Sequence, residues 1–406
     1  MWCQLRTLRV RLFTLFAVAL LCSFAATAQP DDHLKGNPQE QNQRPDHRSG
    51  TVKPPPFPLQ LEMRVPFEPT GFPSGPHFYV FYELHLTNWG PAPLSLRSIE
   101  VRDADAGAGL PIAAFETEQL EGLLQPVSGP TSSDRKDRLV LAGGRSTIVY
   151  ISVAFNRGVH IPGRLIHRVI TADADLEGAL IATHRTELHV LGPPVEGRDW
   201  FASDGPSNDE DNHHRRGVII LDGRAVDSRR YAIDWEQVRG DASFSGDALD
   251  VHSYYAYGKA VLAVADGRVV TARGGLPDNV PGHGASFHPA APLTLETLAG
   301  NTITLDLGGG QFAYYMHLKP GSLRVKAGDR VRRGQVLGAI GATGDAREPH
   351  LHFEVTTSPK AIAGEGVPYL IDRYRCKSAS GGHAELRIHE LPLDKSVVTF
   401  GEDHGK

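Results

Sequence analysis

The stretch PHLHFEV, at residues 349–355, alternates polar and apolar residues in the manner of a β-strand. In a strand, residues two positions apart point to the same face, so His350 and His352 stand side by side while the apolar residues turn into a core. Two imidazoles on one rigid face can bind a metal, transfer a proton, or do both. The same spacing also fits an ordinary strand whose polar face carries two histidines, so the surrounding sequence has to decide.

The residues around this stretch predict a domain built from β-structure. Short runs rich in strand formers recur between residues 217 and 355, and glycines lie between them. No long amphipathic helix is evident, so we expect an antiparallel β-sheet core with long loops over residues 198–375. Residues 376–406 form a C-terminal extension in which the pattern weakens, and residues 396–400 predict an edge strand.

The preceding residues, 57–193, carry a β pattern of their own. The run FYVFYELHLT at residues 78–87 ends at the turn NWGP, and further short strands recur up to residue 191. Short strands separated by Gly and Pro turns predict an immunoglobulin-like β-sandwich. We expect its scattered histidines at surface or turn positions; these are His160, His167 and His184. The fold class is therefore all-β, with two domains.

The N-terminus has the features of a secretory signal peptide. Three arginines precede an apolar run from residue 12 to residue 26, and Ala-Thr-Ala at 26–28 supplies a cleavage site. We therefore expect residues 1–28 to be removed and the polar, proline-rich residues 29–56 to form a disordered linker. A retained anchor helix is the competing interpretation, but the apolar run is shorter than the ~20 residues that span a bilayer. The pattern predicts an exported protein, periplasmic or secreted, with no membrane span after cleavage.

Composition narrows the choice of partners further. The net charge of −5 over 406 residues gives no reason to expect nucleic acid or an anionic membrane surface as a partner. Cys3 and Cys22 fall within the signal peptide, so the mature chain keeps Cys376 alone and can form no internal disulfide. An exported chain of this kind must be stable through its hydrophobic cores.

Several ordered motifs resemble those of the lysostaphin-like zinc metallopeptidases, the M23 or LytM family. YGKAVLAVADGRVV at residues 257–270 resembles the family's first core hairpin, and YMHL at 315–318 resembles its Tyr-x-His-Leu segment. The glycine-rich residues 325–344 resemble its turn-rich connection, and HLHFE at 350–354 resembles its terminal strand. The resemblance covers about residues 210–375 and rests on the order of these motifs together.

The resemblance implies a peptidase that cleaves peptide bonds in peptidoglycan with one Zn²⁺ held in a groove on an antiparallel sheet. It assigns His352 as a zinc ligand, and His317 and His350 as the catalytic pair that orients water and stabilises the transition state. Asp234 falls where the family has the aspartate of a His-x-x-x-Asp motif, and it would be a second ligand. Imidazole and carboxylate suit zinc, which keeps an open position for water in catalytic sites.

One position departs from the family pattern. The first histidine of His-x-x-x-Asp should lie four residues before Asp234, where this chain has Arg230. An arginine keeps its proton and cannot bind zinc. Either the site is damaged or another residue supplies the ligand.

His214, and less favourably His213, is the nearest upstream replacement for the missing ligand. We expect the replacement if the strand that begins near residue 217 pairs with the Asp234 strand through a turn at Asp222-Gly223. The competing interpretation places both histidines in a solvated loop that follows the acidic run 209–211.

Three functions stay open. The retained residues favour an exported zinc endopeptidase that acts on peptidoglycan cross-link or stem peptides. Arg230 favours instead a catalytically inactive module that binds the cell wall or activates a partner wall hydrolase. A structural metal site would need a closed shell of four ligands, which this residue set does not obviously provide.

Overall fold

The computed structural model describes residues 57–107, 109–127, 134–183, 186–379 and 381–401. The predicted signal peptide and linker lie outside these residues, as does His184. The structure is 6% helical and 43% strand, so the all-β prediction is confirmed. Within the described ranges, no helix is both long enough and apolar enough to cross a bilayer.

Among the described residues, ten strands and one short α-helix occupy the first part of the chain. The strands are β1 (Leu61–Arg64), β2 (Phe72–Ser74), β3 (His77–Asn88), β4 (Leu94–Asp103), β5 (Ala113–Glu116), β6 (Leu124–Pro126), β7 (Val140–Leu141), β8 (Ser146–Asn156), β9 (Arg164–Thr171) and β10 (Asp175–Ala182). Helix α1 spans Thr117–Leu123, and a 3₁₀ helix spans Arg135–Leu139. One sheet has the order β1-β3-β8-β6 with β2 on β3, and the other has the order β10-β9-β4-β5 with β7 on β4.

These two sheets pack on one hydrophobic core. Val80 and Val149, from β3 and β8, meet Ile99 from β4 and Val169 from β9 in a single buried cluster. The alternation of strand formers over residues 78–87 explains why every second side chain of β3 can enter this core. The sheets therefore form a β-sandwich, whereas its immunoglobulin-like connectivity stays a prediction.

His167 shows where the expectation for this part was wrong. It lies on β9, fully buried, with its Nε2 2.8 Å from the Tyr82 hydroxyl oxygen and its Nδ1 3.0 Å from the Ala179 carbonyl oxygen. Burial lowers the pKa of His167 to about 4, so it is a neutral core residue. The signal was present in the sequence, because alternation puts His167 on the same face as Leu165 and Val169.

Fifteen further strands follow among the described residues. They are β11 (Val190–Leu191), β12 (Gly197–Ser203), β13 (Ile219–Leu221), β14 (Arg224–Val226), β15 (Ile233–Gln237), β16 (Ala260–Leu262), β17 (Gly267–Arg273), β18 (Thr302–Gly308), β19 (Gln311–Met316), β20 (Arg330–Val331), β21 (Val336–Ala339), β22 (Leu351–Thr356), β23 (Leu370–Lys377), β24 (Glu385–Glu390) and β25 (Val397–Phe400). Short 3₁₀ helices span Ser228–Tyr231, Val251–Ser253 and Gly284–Ser286.

Eleven of these strands form one large sheet. Its order is β11-β23-β25-β12-β15-β22-β19-β18-β17-β20, with β24 on β23, while β13 pairs with β14 and β16 pairs with β21. Residues 396–400 were expected at an edge, but β25 pairs with β12 on one side and with β23 on the other. Strand β23 also runs across position 376, where the C-terminal extension was expected to begin. The last described residues are therefore part of the sheet, through pairings with residues far away in the sequence.

Strand β22 lies inside this sheet between β15 and β19, and all six of its residues are buried. Its apolar residues face the core, where Phe353 packs against the rings of Tyr315 and Tyr369 at centroid distances of 5.2 and 5.3 Å. Burying a side chain of this size stabilises the fold by about 1.5–3 kcal/mol. His352 consequently occupies the opposite face, as the alternation predicted.

A buried charge cluster lies where the sandwich meets the large sheet. Glu83, on β3, accepts hydrogen bonds from Arg215 and Arg230, and Arg230 also contacts Glu365 at 2.8 Å. These four residues and Asp227 are termed the junction cluster. Burial raises the pKa of Glu83, but the two arginines outweigh it and lower that pKa to about 2. Burial, followed by the charge of Glu83, raises the pKa of Asp227 to about 8.

Asp227 should make the protein less stable as the pH rises. In the unfolded chain an aspartate loses its proton near pH ~4, whereas the folded protein retains the proton on Asp227 up to about pH 8. The free energy of unfolding therefore declines between these pH values. Asp227→Asn removes this ionisation and keeps the shape of the neutral side chain. We expect urea denaturation to show that the free energy of unfolding of the variant, relative to that of the wild type, rises by up to about 1.4 kcal/mol per pH unit over this range.

The comparison at each pH isolates Asp227, because all other groups titrate in both proteins. A stability difference between variant and wild type that stays constant from pH ~4 to ~8 would contradict the raised pKa.

Candidate metal centre and cleft

Strands β15 and β22 place an aspartate and a histidine directly opposite each other. Asp234 pairs with His352 in the antiparallel register of these strands. The His352 Nδ1 lies 2.8 Å from the Asp234 Oδ1, and both side chains are buried. The backbone ladder fixes this register, so the two side chains meet without help from a ligand.

His214 joins this pair from a neighbouring segment. Its Nε2 lies 3.3 Å from the Asp234 Oδ2, and its ring packs edge-on against His352 with 4.7 Å between ring centroids. His214 is 2% exposed, so it does not lie in a solvated loop. The structure therefore brings the upstream histidine to the same point as Asp234 and His352.

The route that brings His214 there differs from the expected one. Strand β13 pairs with β14 across the turn at Asp222-Gly223, so the expected pairing of β13 with the Asp234 strand is wrong. Strand β12 pairs with β15 instead, and Ser203 lies opposite Asp234. The chain then folds back after β12, and the His214 Nδ1 lies 2.9 Å from the Asp204 carbonyl oxygen.

His213 is the weaker candidate of the two adjacent histidines. Its side chain is 57% exposed, and its Nε2 lies 3.9 Å from the Asp234 Oδ2. Its Nδ1 contacts the Asp204 carboxylate at 3.1 Å. Potential ligand atoms of His213, His214 and Asp234 all lie within 4.8 Å of one another. The burial of His214 and its shorter distance to Asp234 favour His214 as the ligand.

His317 and His350 complete a row of imidazoles beside Asp234. Their rings lie 4.9 Å apart, and the ring of His317 lies 5.9 Å from that of His352. The His350 Nε2 lies 3.4 Å from the Asp234 Oδ1. All five residues singled out in the sequence therefore lie together on one face of the sheet.

Main-chain carbonyl groups orient three of these rings. The Nδ1 atoms of His214, His317 and His350 lie 2.9, 2.8 and 2.8 Å from carbonyl oxygens. Only a protonated Nδ1 can donate to a carbonyl, so this partner assigns the proton to Nδ1 and leaves the Nε2 lone pair facing the cleft. His352 differs, because both of its ring nitrogens face carboxylates: the Nδ1 lies 2.8 Å from the Asp234 Oδ1, and the Nε2 lies 3.3 Å from the Glu354 Oε2.

Burial and charge shift the pKa values of this group. Burial lowers the pKa of His214 to about 4 and holds the pKa of His317 well below its usual value. Burial raises the pKa of Asp234, but the surrounding histidines outweigh it and hold that pKa well below its usual range. Burial lowers the pKa of His352, whereas the charge of Asp234 outweighs it and raises that pKa to about 9. The site thus contains an ionised aspartate with neutral His214 and His317.

The donor set fits a zinc ion. The His214 Nε2 and the His352 Nδ1 lie against the two oxygens of the Asp234 carboxylate, at 3.3 and 2.8 Å, and three protein ligands are typical of catalytic zinc sites. The ligand rings also have the oriented partners that zinc-binding histidines commonly have, a carbonyl for His214 and a carboxylate for His352. Glu354 is fully buried, and its Oε1 has no hydrogen-bond partner among the described residues.

Arg230 points away from this group and into the junction cluster. Its Nε lies 3.0 Å from both Glu83 carboxylate oxygens, and its Nη1 donates to the Gly366 carbonyl at 3.0 Å. Residue 230 belongs to the 3₁₀ helix Ser228–Tyr231, whereas Asp234 lies on β15. The departure from the family motif therefore places an arginine in the protein interior and leaves the cleft without a cation at this position.

The histidines and Asp234 line a cleft of about 390 Å³. Glu236, Glu348 and Arg229 line the same cleft. Burial, followed by the charge of Glu348, holds the pKa of Glu236 well above its usual range. Glu236 was not predicted as a site residue, although it lies two residues after Asp234 on β15 and strand alternation would have placed it on the same face.

The sequence also matches a known family over part of its length. Residues 249–363 match the family described as Peptidase family M23. The matched range contains His317, His350 and His352, and it begins after His214 and Asp234.

Two curated relatives have similar sequences. The glycyl-glycine endopeptidase ALE-1 of Staphylococcus capitis is 40% identical over 74 residues, which are 18% of this chain and 20% of that protein. The peptidoglycan DD-endopeptidase ShyA of Vibrio cholerae serotype O1 is 40% identical over 64 residues, 16% of this chain and 14% of that protein. The chain thus spans a fifth or less of the length of these relatives.

One similar solved structure is the catalytic domain of a mutant of the prophage-encoded M23 protein EnpA from Enterococcus faecalis. It is 17% identical, the similarity covers 45% of this chain and 93% of that one, and the TM-score is 0.25.

The backbone conformation at His317 should reduce the stability of the protein by a measurable amount. Its φ of 64° lies in the left-handed region, which costs a residue with a Cβ about 1–2 kcal/mol and costs glycine little. His317→Gly and His317→Ala both remove the imidazole, so their difference reports the backbone alone. We expect chemical denaturation to show the glycine variant more stable by about 1 kcal/mol. An alanine variant of equal or greater stability would rule out the strain.

Proposed function

We propose that this chain, which carries a Peptidase family M23 domain at residues 249–363, is a zinc-dependent endopeptidase that cleaves peptides of peptidoglycan. Two relatives of similar sequence are named as endopeptidases, one for glycyl-glycine bonds and one for peptidoglycan DD bonds. The chain covers only 20% and 14% of those proteins, so their activities support the proposal without deciding it.

One observation carries the proposal. His214, Asp234 and His352 converge on the same face of the sheet, with His317 and His350 beside them. A structural zinc site is closed by four ligands, whereas three ligands leave a position for water. The cleft of about 390 Å³ at this face gives a peptide room to reach that position.

His214, Asp234 and His352 would hold the zinc ion through Nε2, a carboxylate oxygen and Nδ1. When bound, zinc supplies a Lewis acid that polarises a carbonyl group and lowers the pKa of water towards ~7. The partners of the ligand side chains fit this role. The Asp204 carbonyl oxygen fixes the ring of His214, and Glu354 fixes that of His352.

His317 and His350 would move the proton. Both rings present Nε2 to the cleft, because carbonyl oxygens hold their Nδ1 atoms. A neutral imidazole of this pair accepts a proton at Nε2 from a water molecule that attacks the peptide. The imidazolium then stabilises negative charge on the carbonyl oxygen and returns the proton to the leaving amine nitrogen.

We also propose that the protein is exported to the periplasm or beyond, where it would meet peptidoglycan. The signal-peptide pattern of residues 1–28 supports this. The predicted domains, a sandwich at 57–193 and a peptidase domain at 198–375, belong to the same proposal.

A catalytically inactive module is the second candidate. It would use the cleft to bind the cell wall or to activate a partner wall hydrolase. Arg230 at the family's first ligand position favours this function, as does a family match that begins only after Asp234. Metal content and the digestion of peptidoglycan together separate the two candidates.

Zinc analysis of the purified protein tests whether His214 replaces the missing ligand. We expect one zinc per chain in the wild type and loss of zinc in His214→Ala and His352→Ala, because each variant lacks one of three donors. His213→Ala is the matched control, since it removes the adjacent imidazole, and it should retain zinc. Unchanged zinc in His214→Ala would refute the replacement.

Digestion of purified peptidoglycan tests the catalytic pair. His317→Ala and His350→Ala should retain zinc and release peptides at least about 100-fold more slowly, because they lack a proton-transfer group. Walls with glycine bridges and walls with direct D-amino-acid cross-links should both be offered, since the relatives are named for different bonds. A zinc-loaded wild type that binds both walls and cleaves neither would support the inactive module.

A further inference from the structure

We propose that the N-terminal sandwich completes the zinc site, with Glu83 as the positioning residue that holds the His214 and Asp234 segments through Arg215 and Arg230. The inference rests on the proposed function, because it presupposes that His214 and Asp234 bind the metal. Glu83 contacts neither ligand and acts through the two arginines. The sandwich lies outside the family match, which begins at residue 249.

His214 needs such support because no backbone ladder holds it. It lies in the segment between the end of β12 at Ser203 and the start of β13 at Ile219. Asp234 and His352, in contrast, are fixed by the pairing of β15 with β22. If His214 were free to move, zinc binding would have to order its segment, and the metal affinity would fall. The contacts of the residues around His214 therefore determine how well the site binds metal.

Arg215, the residue after His214, provides the strongest of these contacts. It is 1% exposed, and its guanidinium group donates to Glu83 and to the carbonyl oxygens of Tyr82 at 2.9 Å and Ile151 at 3.2 Å. These partners belong to β3 and β8, the central strands of one sandwich sheet. The side chain of Arg215 thus fixes its own main chain, and with it the adjacent His214, to the sandwich.

Other residues of the same segment also contact the sandwich. Three contacts join them: Asn208 to the Tyr150 carbonyl at 2.7 Å, Glu210 to Arg138 at 2.6 Å, and Arg216 to the Gly122 carbonyl at 2.9 Å. The segment therefore lies against the sandwich along its length, and Arg215 is its most buried attachment.

Arg230 connects the Glu83 carboxylate to the segment that carries Asp234. Glu83 accepts from the Arg230 Nε at 3.0 Å while it also accepts from Arg215. Arg230 lies four residues before Asp234, and Arg215 lies one residue after His214. A single buried carboxylate thereby joins the two chain segments that carry the ligands. The position that the family pattern gives to a ligand has become an attachment point for the sandwich, and the ligand role has moved to His214.

Glu83→Gln in the full chain tests this arrangement, because it removes the charge that holds both arginines and keeps the side-chain shape. We expect zinc affinity, measured by competition with a chelator, to fall at least about 10-fold. Glu390→Gln is the matched control. Glu390 is also buried, and it accepts from Arg157 and from the Gly75 N–H, which lies 2.7 Å away, without any described contact to the segments of His214 or Asp234. The zinc affinity of the Glu390→Gln variant should stay at the wild-type level even if the thermal stability of the variant falls.

The outcomes separate the possible explanations. Wild-type zinc affinity in Glu83→Gln would overturn the inference, as would equal losses in both glutamate variants, which indicate general destabilisation. If circular dichroism shows that Glu83→Gln does not fold, Arg230→Lys replaces it, because lysine keeps the positive charge and loses the paired contact of the guanidinium group with both Glu83 oxygens. A lower zinc affinity in Arg230→Lys then supports the inference, and an unchanged affinity overturns it. A wild type without zinc removes the proposed function itself, a result that is visible before any variant is made.

Discussion

The pairing of β15 with β22 is the constraint on which the candidate site depends. It sets Asp234 opposite His352, and the adjoining β19 ends directly before His317. A slip of one residue would turn these side chains into the core, so the apolar residues of β22 secure the register by their burial. Hydrophobic packing on one face of the sheet thus determines which polar side chains meet on the other face.

Buried charges hold the position of His214, the third candidate ligand, whereas strand pairing holds Asp234 and His352. Buried ion pairs have a large desolvation cost, and they hold a fixed geometry only when further hydrogen bonds satisfy the remaining atoms. The junction cluster meets this requirement, because carbonyl oxygens of Tyr82, Ile151 and Gly366 accept from its arginines. Hydrogen bonds to strands of the sandwich can therefore hold a segment that has no strand pairing of its own.

Local patterns in the sequence predicted the features that depend on neighbouring residues, namely strands and the directions of their side chains. Alternation over residues 349–355 gave strand β22 and its two faces, and the same rule applied to β9 would have placed His167 inside the sandwich. The direction of Arg230 and the interior position of β25 could not be predicted, because they depend on Glu83 and Trp200, which lie far away along the chain. His214 was selected correctly as a neighbour of Asp234 but by the wrong strand pairing, since β13 pairs with β14.

The interior position of β25 affects how the protein reaches its native state. Val398 pairs with Cys376 on one side and with Trp200 on the other, so the sheet stays divided into two parts until β25 is in place. Pairings between such distant residues form slowly, and unpaired strand edges invite association with other chains. Until β25 pairs with them, β12 and β23 therefore keep open edges. Molecules cut short before residue 397 would keep those edges, which makes them candidates for aggregation or for removal by proteases.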